Sequence, residues 1–227
     1  EEAYNWMKAL GHTIIKPVPS LFTVNMPKNP VTELMGVSVP SAKVKIAGTK
    51  LENTGPLLIT HWGMSGPAIL KLSAIGAREL FKMHYSFTLL VNWIPKFNEE
   101  KLRIEIANIR RDHANKYIHS YNPFELPTRL WEYIFQKAGL IDAVRWADIP
   151  KKNQNILINS LLNDEYKVSG KTTFKEEFVT CGGISLAEVD FNTMQSKIVP
   201  NIYFAGEVLD IDGITGGFNF QAAWTTG

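Results

Sequence analysis

The sequence predicts an α+β fold, and three observations support this. Short apolar and β-branched segments separated by turn residues occupy 21–58 and continue at 85–93. Residues 98–162 instead carry apolar side chains at helical spacing. Strand character returns at 166–179. Short strands at this spacing are typical of a small barrel or sandwich, so we expect a β-barrel-like domain that carries a helical subdomain.

The first helix is predicted over residues 3–10 and ends at Gly11, which suits the position after a helix. Two prolines then lead into the region of short strands. A tight loop follows the strand predicted to begin at Leu57, and this loop precedes a second predicted helix. That helix begins near Pro67, takes Ser65 as its cap and runs to about Phe81.

The helical subdomain is predicted to hold three helices, from Glu99 to about Asn108, from Pro127 to Ala138 and from Pro150 to Leu162. Residues 98–152 carry ten basic and eight acidic side chains, a mixture typical of a solvated surface. The whole chain, with 24 basic and 22 acidic residues, has a formal charge of only +2. We therefore expect no nucleic acid partner.

Composition is that of a globular protein, with 45% hydrophobic and 20% charged residues among 227. Cys181 is the only cysteine, which excludes an internal disulfide and fits a reducing compartment. No apolar run approaches the roughly 18 residues that span a bilayer, and the first residues do not form a signal peptide. We expect a cytoplasmic protein without a membrane partner.

The five histidines and the cysteine lack metal-site spacing, so no metal is expected.

A glycine-bearing bend near the end of the chain carries the strongest functional signal. The apolar run 202–205 predicts a buried strand that ends at Gly206. Glu207 then lies at the carboxyl end of that strand, the edge where ligands bind in open α/β sheets. A helix is predicted to begin near Asn219, a cap residue, and its free N–H groups suit an electron-rich ligand. Three glycines lie between Glu207 and Asn219, and without a side chain their backbone can approach a ligand closely. They are Gly213, Gly216 and Gly217.

The string Gly-Glu-Val-Leu-Asp-Ile-Asp-Gly-Ile-Thr-Gly-Gly-Phe-Asn-Phe-Gln closely resembles the carboxyl-terminal flavin-binding signature of the bacterial HI0933-like (YhiN/BaiN-type) FAD-dependent oxidoreductases. Residues 11–22, 57–70 and 178–226 are also similar to that family. The resemblance implies that Glu207 bonds the ribityl hydroxyls of FAD. It also implies that the Gly-Gly-Phe-Asn turn, residues 216–219, lies against the pyrimidine edge of the isoalloxazine. The remaining expected cofactor-binding residues are Gly206, Gly213, Gly216, Gly217, Phe218 and Asn219.

The resemblance further implies that the barrel-like domain is inserted into a Rossmann-type FAD-binding domain, of which this chain holds only parts. The expected divisions are 1–17 and 180–227 for the FAD-binding domain, 18–97 with 163–179 for the barrel-like insert, and 98–162 for the helical subdomain. The G-x-G-x-x-G turn that holds a dinucleotide pyrophosphate does not occur here. We therefore expect part of a longer flavoprotein, with weak or no FAD binding and no activity by itself.

By resemblance, the parent protein is an FAD-dependent oxidoreductase that transfers hydride through the flavin to or from a small-molecule substrate. NADH or NADPH is the candidate reductant, and the insert would cap the flavin. No catalytic acid or base stands out. His12 is interpreted as structural or as an acid beside the flavin. For Cys181, packing is expected and a redox thiol is the alternative.

Two other function classes remain open from the sequence. The insert could be a non-catalytic module that recognises a substrate or a macromolecule. Ser65 and His61 raise the class of serine hydrolases, but the G-x-S-x-G elbow and an orienting acid are absent.

Overall fold

A computed structural model describes residues 2–172 and 179–227 and divides the chain into two compact units. Unit 1 holds residues 1–23, 70–85 and 171–227, and unit 2 holds residues 24–69 and 86–170. The fold mixes helices with antiparallel sheets, so the predicted α+β class is confirmed. Within the described ranges, no helix is both long and apolar enough to cross a bilayer.

Seven helices lie in the described residues: α1 (Glu2–Ala9), α2 (Pro67–Ile75), α3 (Ala77–Lys82), α4 (Glu99–Asp112), α5 (Thr128–Lys137), α6 (Lys151–Leu162) and α7 (Gly216–Thr226). The strands of the same residues are β1 (Ile14–Ser20), β2 (Thr23–Asn25), β3 (Ser38–Ile46), β4 (Glu52–Ile59), β5 (Gly63–Ser65), β6 (Ser86–Asn92), β7 (Asp164–Ser169), β8 (Lys171–Thr172), β9 (Val179–Ile184), β10 (Val189–Asp190) and β11 (Gln195–Ser196). The strand predicted over 172–179 falls mainly on 173–178, outside the described residues.

The strands of unit 2 form an antiparallel ladder in the order β7-β6-β3-β4-β5-β2. In the part of the chain that the structure describes, this order is linear and does not close into a ring. Alternation along β3 buries Val44 and Ile46 on one face and leaves Lys43 and Lys45 on the other. The buried face of the ladder therefore belongs to the core of unit 2.

The three helices of unit 2 agree with the predicted periodicity. Helix α4 buries Leu102, Ile106 and Ile109, and the Asn98 side chain accepts a hydrogen bond from the Lys101 N–H at its start. This bond satisfies one of the backbone donors that a helix start leaves unpaired.

The helix predicted to run to Phe81 is instead two helices, α2 and α3. The break falls at Gly76, and glycine is a weak helix former.

In unit 1, β1 pairs with β9 and β10 pairs with β11, both antiparallel. A core cluster of Ile184, Val189, Phe204 and Leu209 lies beside them. The buried strand predicted at 202–205 does not form as expected. Only Tyr203 makes a bridge, to Gln195, and its side chain is 60% exposed. Among the described residues this segment hydrogen-bonds on one side, to 194–196, so a fully buried strand was the wrong interpretation.

Candidate functional site

The glycine-bearing bend of unit 1 folds as a short 3-10 turn, Gly206–Val208, followed by a loop and helix α7. The Gly206 N–H donates to Thr226 Oγ1 at 2.9 Å, so the turn is tied to the far end of the helix. Leu209 is fully buried and makes a parallel bridge to Ile184. The bend is thus fixed at both ends by ordinary packing and backbone hydrogen bonds.

Asn219 holds the loop that precedes helix α7. Its Oδ1 accepts from the Gly213 N–H at 3.0 Å, and its Nδ2 donates to the oxygens of Gly213 and Thr215 at 3.1 and 2.9 Å. The side chain is 8% exposed. The predicted role as helix cap is wrong, because the helix begins at Gly216 and Asn219 lies inside its first turn. Asn219 is instead a brace that sets the backbone path of the loop.

Gly213 allows this brace to form. A Cβ added there would lie 2.4 Å from the Phe218 Cβ, closer than real Cβ contacts. The structure therefore brings Gly213, Phe218 and Asn219 together. Within the described residues, no hydrogen bond joins these three to Glu207, which lies on the 3-10 turn.

The remaining expected site residues are exposed. Gly216 and Gly217 offer bare backbone at the start of helix α7, and Phe218 is 62% exposed. Thr215, the residue before the helix, makes no side-chain hydrogen bond to it in the described residues. The first N–H groups of a helix have no intrahelical partner. They are thus available to an electron-rich group, with the positive end of the helix dipole behind them.

Glu207 presents its carboxylate beside this bend. The Tyr4 hydroxyl donates to the backbone oxygen of Glu207 at 3.2 Å, a bond that does not use the carboxylate. Burial, and secondarily the nearby Glu207 charge, raise the pKa of the Tyr4 hydroxyl. An exposed carboxylate can accept hydrogen bonds from ligand hydroxyls. The bend thus offers a carboxylate acceptor at Glu207 and backbone donors at the start of helix α7.

The paired glycines before the bend make a close backbone contact. A Cβ on Gly183 would lie 2.5 Å from the Val208 oxygen, so only glycine allows β9 to approach the 3-10 turn this closely.

Cys181 packs against Val18 and Ala77 in a small buried cluster. Burial first, and then the charge and hydrogen bond of Asp212, raise the pKa of the Cys181 thiol to about 11. The thiol therefore keeps its proton at neutral pH.

His12 lies in a polar cluster that sequence reasoning missed. Its Nε2 lies 3.0 Å from Ser196 Oγ, and its Nδ1 lies 3.1 Å from Glu188 Oε2. Ser196 Oγ accepts the N–H groups of Ile198 and Val199 at 3.0 and 2.8 Å. The hydroxyl proton of Ser196 is therefore directed to Nε2 of His12. The ring proton of His12 then lies on Nδ1, which donates to Glu188.

The order serine, histidine, carboxylate is that of a hydrolytic triad, but the hydroxyl is buried and its lone pairs are occupied. Glu188 also accepts the Thr13 N–H at 2.9 Å, and its hydrogen bonds from Thr13 and His12 lower the pKa of its carboxyl. The cluster joins residues 12–13 to a distant part of the chain, residues 188–199, which supports the structural interpretation of His12. More than 170 residues separate His12 from its partners, and no spacing rule in the sequence could have identified them.

The serine hydrolase alternative gains no support from unit 2. Ser65 belongs to β5 and pairs with Leu58, whereas His61 packs edge-on against the Trp62 ring at 4.2 Å. No hydrogen bond joins Ser65 to His61 in the described part of the chain. The described residues also contain no group of three or more His, Cys, Asp or Glu that could hold a metal ion.

Comparison with known proteins gives a family and several relatives. A family model described as the HI0933-like protein barrel and H2TH domain matches residues 18–179. A ribosomal RNA dihydrouridine synthase of Escherichia coli is 33% identical over 193 residues, which cover 85% of this chain and 45% of that protein. The protein of the same description in Haemophilus influenzae is 29% identical over 225 residues, 98% of this chain and 53% of the relative.

A third relative is the 3-dehydro-bile acid delta(4,6)-reductase of Clostridium scindens. It is 26% identical over 235 residues, which cover 99% of this chain and 55% of that protein. The chain therefore spans about half the length of the curated relatives it matches.

Proposed function

Because the chain belongs to the HI0933-like family of FAD-dependent oxidoreductases, we propose that its parent protein transfers hydride between bound FAD and an organic substrate. The bend of unit 1 is proposed to contribute to the flavin site. The observation that carries this is the combination of an exposed carboxylate at Glu207 with bare glycine backbone at a helix start. The proposed cofactor-binding residues are Gly206, Glu207, Gly213, Gly216, Gly217, Phe218 and Asn219.

Each residue has a distinct proposed task. Glu207 accepts hydrogen bonds from ribityl hydroxyls, and the first N–H groups of helix α7 face the electron-rich pyrimidine edge of the ring. Asn219 holds the loop in the shape that presents those groups. Bound FAD would supply the hydride chemistry, and the protein supplies position and electrostatics.

The names of the relatives suggest the class of substrate. One name describes formation of dihydrouridine in ribosomal RNA, and the other describes a delta(4,6)-reductase of a 3-dehydro-bile acid. Both describe reduction of carbon–carbon double bonds near a carbonyl group. We extend this to the present protein as reduction of a double bond conjugated to a carbonyl, with NADH or NADPH as reductant. The sequence favoured a small molecule, and the ribosomal RNA names leave a nucleic acid substrate open.

The first prediction concerns Glu207 in the full-length protein. Glu207→Gln keeps the shape of the side chain but removes its charge, so the hydrogen bonds to ribityl hydroxyls weaken. We expect FAD to bind about tenfold more weakly, the size of one lost charge-assisted hydrogen bond. Titration of the apoprotein with FAD, followed by flavin fluorescence, measures this.

The matched control is Glu165→Gln, an exposed glutamate on β7 of unit 2. It should leave FAD affinity unchanged. Equal affinities for wild type and Glu207→Gln would remove Glu207 from the proposed site. A full-length protein that binds no flavin would refute the proposed function itself.

A further inference from the structure

A cleft with a volume of about 220 Å³ opens on the sheet of unit 2, at the end of helix α6. It lies on the sheet face that carries Lys43 and Lys45, whereas the intervening Val44 is buried on the other face. Register places Lys43 beside Asn92 of β6, and Lys45 beside Glu52 of β4. The cleft is therefore formed by neighbouring positions on three adjacent strands.

The cleft has a surplus of positive charge. Lys43 Nζ lies 2.8 Å from Glu52 Oε1, and this hydrogen bond, with the charges of Lys43 and Lys45, lowers the pKa of the Glu52 carboxyl. Lys45 adds a second ammonium group to the lining, so the residues that line the cleft carry two positive charges and one negative charge. On the adjoining β7, the exposed Glu165 lies opposite Leu90 and the exposed Lys167 lies opposite Thr88, so one charge of each sign is found beside the cleft. An exposed ion pair of this kind contributes little to stability, so an incoming anion can compete with Glu52.

The rest of the lining is not typical of a simple anion site. Leu90 and Leu162 add an apolar wall, and Asn92 and Asn163 add amide groups. The Oδ1 atom of Asn92 accepts the Ile94 N–H at 2.9 Å, so the NH2 group is the end of this amide that can donate to a ligand. Lysines, an apolar wall and amides together match the phosphate, ring face and polar edge of a nucleotide.

We propose that this cleft binds one phosphate-bearing nucleotide unit. The phosphate lies between Lys43 and Lys45, where it displaces the Glu52 carboxylate, and the base lies against Leu90 and Leu162. A free nucleotide and one unit of a single-stranded RNA carry the same groups, so both can occupy the cleft. This site differs from the expectation of no nucleic acid partner, because the pairing of these side chains depends on strand register that composition does not reveal. It does not depend on the flavin proposal.

The test uses full-length protein with FAD in excess and ¹³C-labelled leucine methyl groups. Uridine 5′-monophosphate is titrated while the methyl signals of Leu90 and Leu162 are followed by NMR. Both signals should shift with one saturable isotherm, whereas the buried Leu102 in helix α4 should not. Uridine without phosphate and inorganic phosphate alone should each bind more weakly than the nucleotide. If either binds as well as the nucleotide, or if Leu90 does not shift, the proposal is overturned.

Two substitutions should change affinity in opposite directions. Lys45→Ala removes one phosphate contact and should weaken binding about tenfold, whereas Glu52→Gln removes the competing carboxylate and should strengthen it. Lys167→Ala is the control on the same sheet and should have no effect. Equal losses from Lys45→Ala and Lys167→Ala would show general charge attraction and overturn the site.

A short oligouridylate separates the two sources of the nucleotide. If the cleft serves RNA, the oligomer binds more tightly than the mononucleotide, and its affinity falls more steeply with salt. Equal affinities indicate a free nucleotide as the ligand. Either outcome supports the cleft, provided that Lys45→Ala weakens the binding.

Discussion

Asn219 illustrates what a single side chain contributes to the bend, because it makes three hydrogen bonds to loop backbone. Asn219→Ala would leave the N–H of Gly213 and two backbone oxygens without these partners. We expect the free energy of unfolding to fall by about 1–3 kcal/mol, and FAD affinity to fall with it. Chemical denaturation of the full-length protein measures the first effect.

The control for this prediction is Asn159→Ala on the exposed face of helix α6, which should change stability little. If Asn219→Ala keeps wild-type stability and FAD affinity, the loop does not need its brace.

The Cys181 thiol makes a prediction about pH. Folding raises its pKa from an ordinary 9.0 to about 11, so the folded state keeps a proton that the unfolded state loses first. The resulting stabilisation is complete below pH 9.0 and is lost as the pH rises toward about 11. The free energy of unfolding of wild type should therefore fall more over this range than that of Cys181→Ala. Parallel curves for the two proteins would contradict the shift.

At the residue scale, the sequence indicated which residues form the bend but not how Asn219 acts. The glycines and Glu207 stand out because their types and order are unusual. The contacts of Asn219 depend on the path of the loop, and an asparagine near a helix start predicts a cap before it predicts a brace. The partners of His12 depend on chain segments far apart in sequence.

Among the elements, a buried carboxylate joins helix α5 to strand β7 in unit 2. Asp164 is 1% exposed and accepts hydrogen bonds from Trp93 Nε1 at 3.1 Å, from the Tyr166 hydroxyl and from Lys137 Nζ. Burial, and then the Asp164 charge, raise the pKa of Tyr166 well above its ordinary value and that of Tyr133 to about 12. The cluster therefore holds one carboxylate among protonated donors.

Replacing this carboxylate tests the junction. Asp164→Asn places an amide NH2 beside the Trp93 Nε1–H and the Lys137 ammonium, which cannot accept a hydrogen bond, and it removes the charge partner of Lys137. We expect a loss of about 1–3 kcal/mol in the free energy of unfolding, measured by denaturant titration. Glu165→Gln, the next residue on the exposed face of β7, should cost far less. Equal effects of the two substitutions would show that the buried network adds no stability.

Element prediction succeeded where one local pattern decides the structure. Helices α4, α5 and α6 follow their apolar periodicity and have clear start signals. It failed where local and tertiary preferences differ, as at Gly76, which divides α2 from α3, and at 202–205, which was predicted as a buried strand. An apolar run does not indicate whether one or both of its backbone edges will hydrogen-bond to a neighbouring strand.

At the scale of the whole molecule, the chain forms two units, and unit 1 is assembled from three separate stretches of sequence. The family is shown by a match over residues 18–179. The division into an FAD-binding domain and a barrel-like insert stays a proposal. Helix periodicity and strand signals gave the α+β class, whereas the inclusion of residues 70–85 in unit 1 depends on long-range packing that no local pattern encodes.

The flavin content of the purified full-length protein tests the central claim most directly. Denaturation should release FAD, identified by mass spectrometry, in a ratio of about one per polypeptide if the bend is part of one flavin site. Glu207→Gln protein purified in the same way should retain less. A full-length, folded protein that releases no FAD, even after incubation with excess cofactor, would contradict the account.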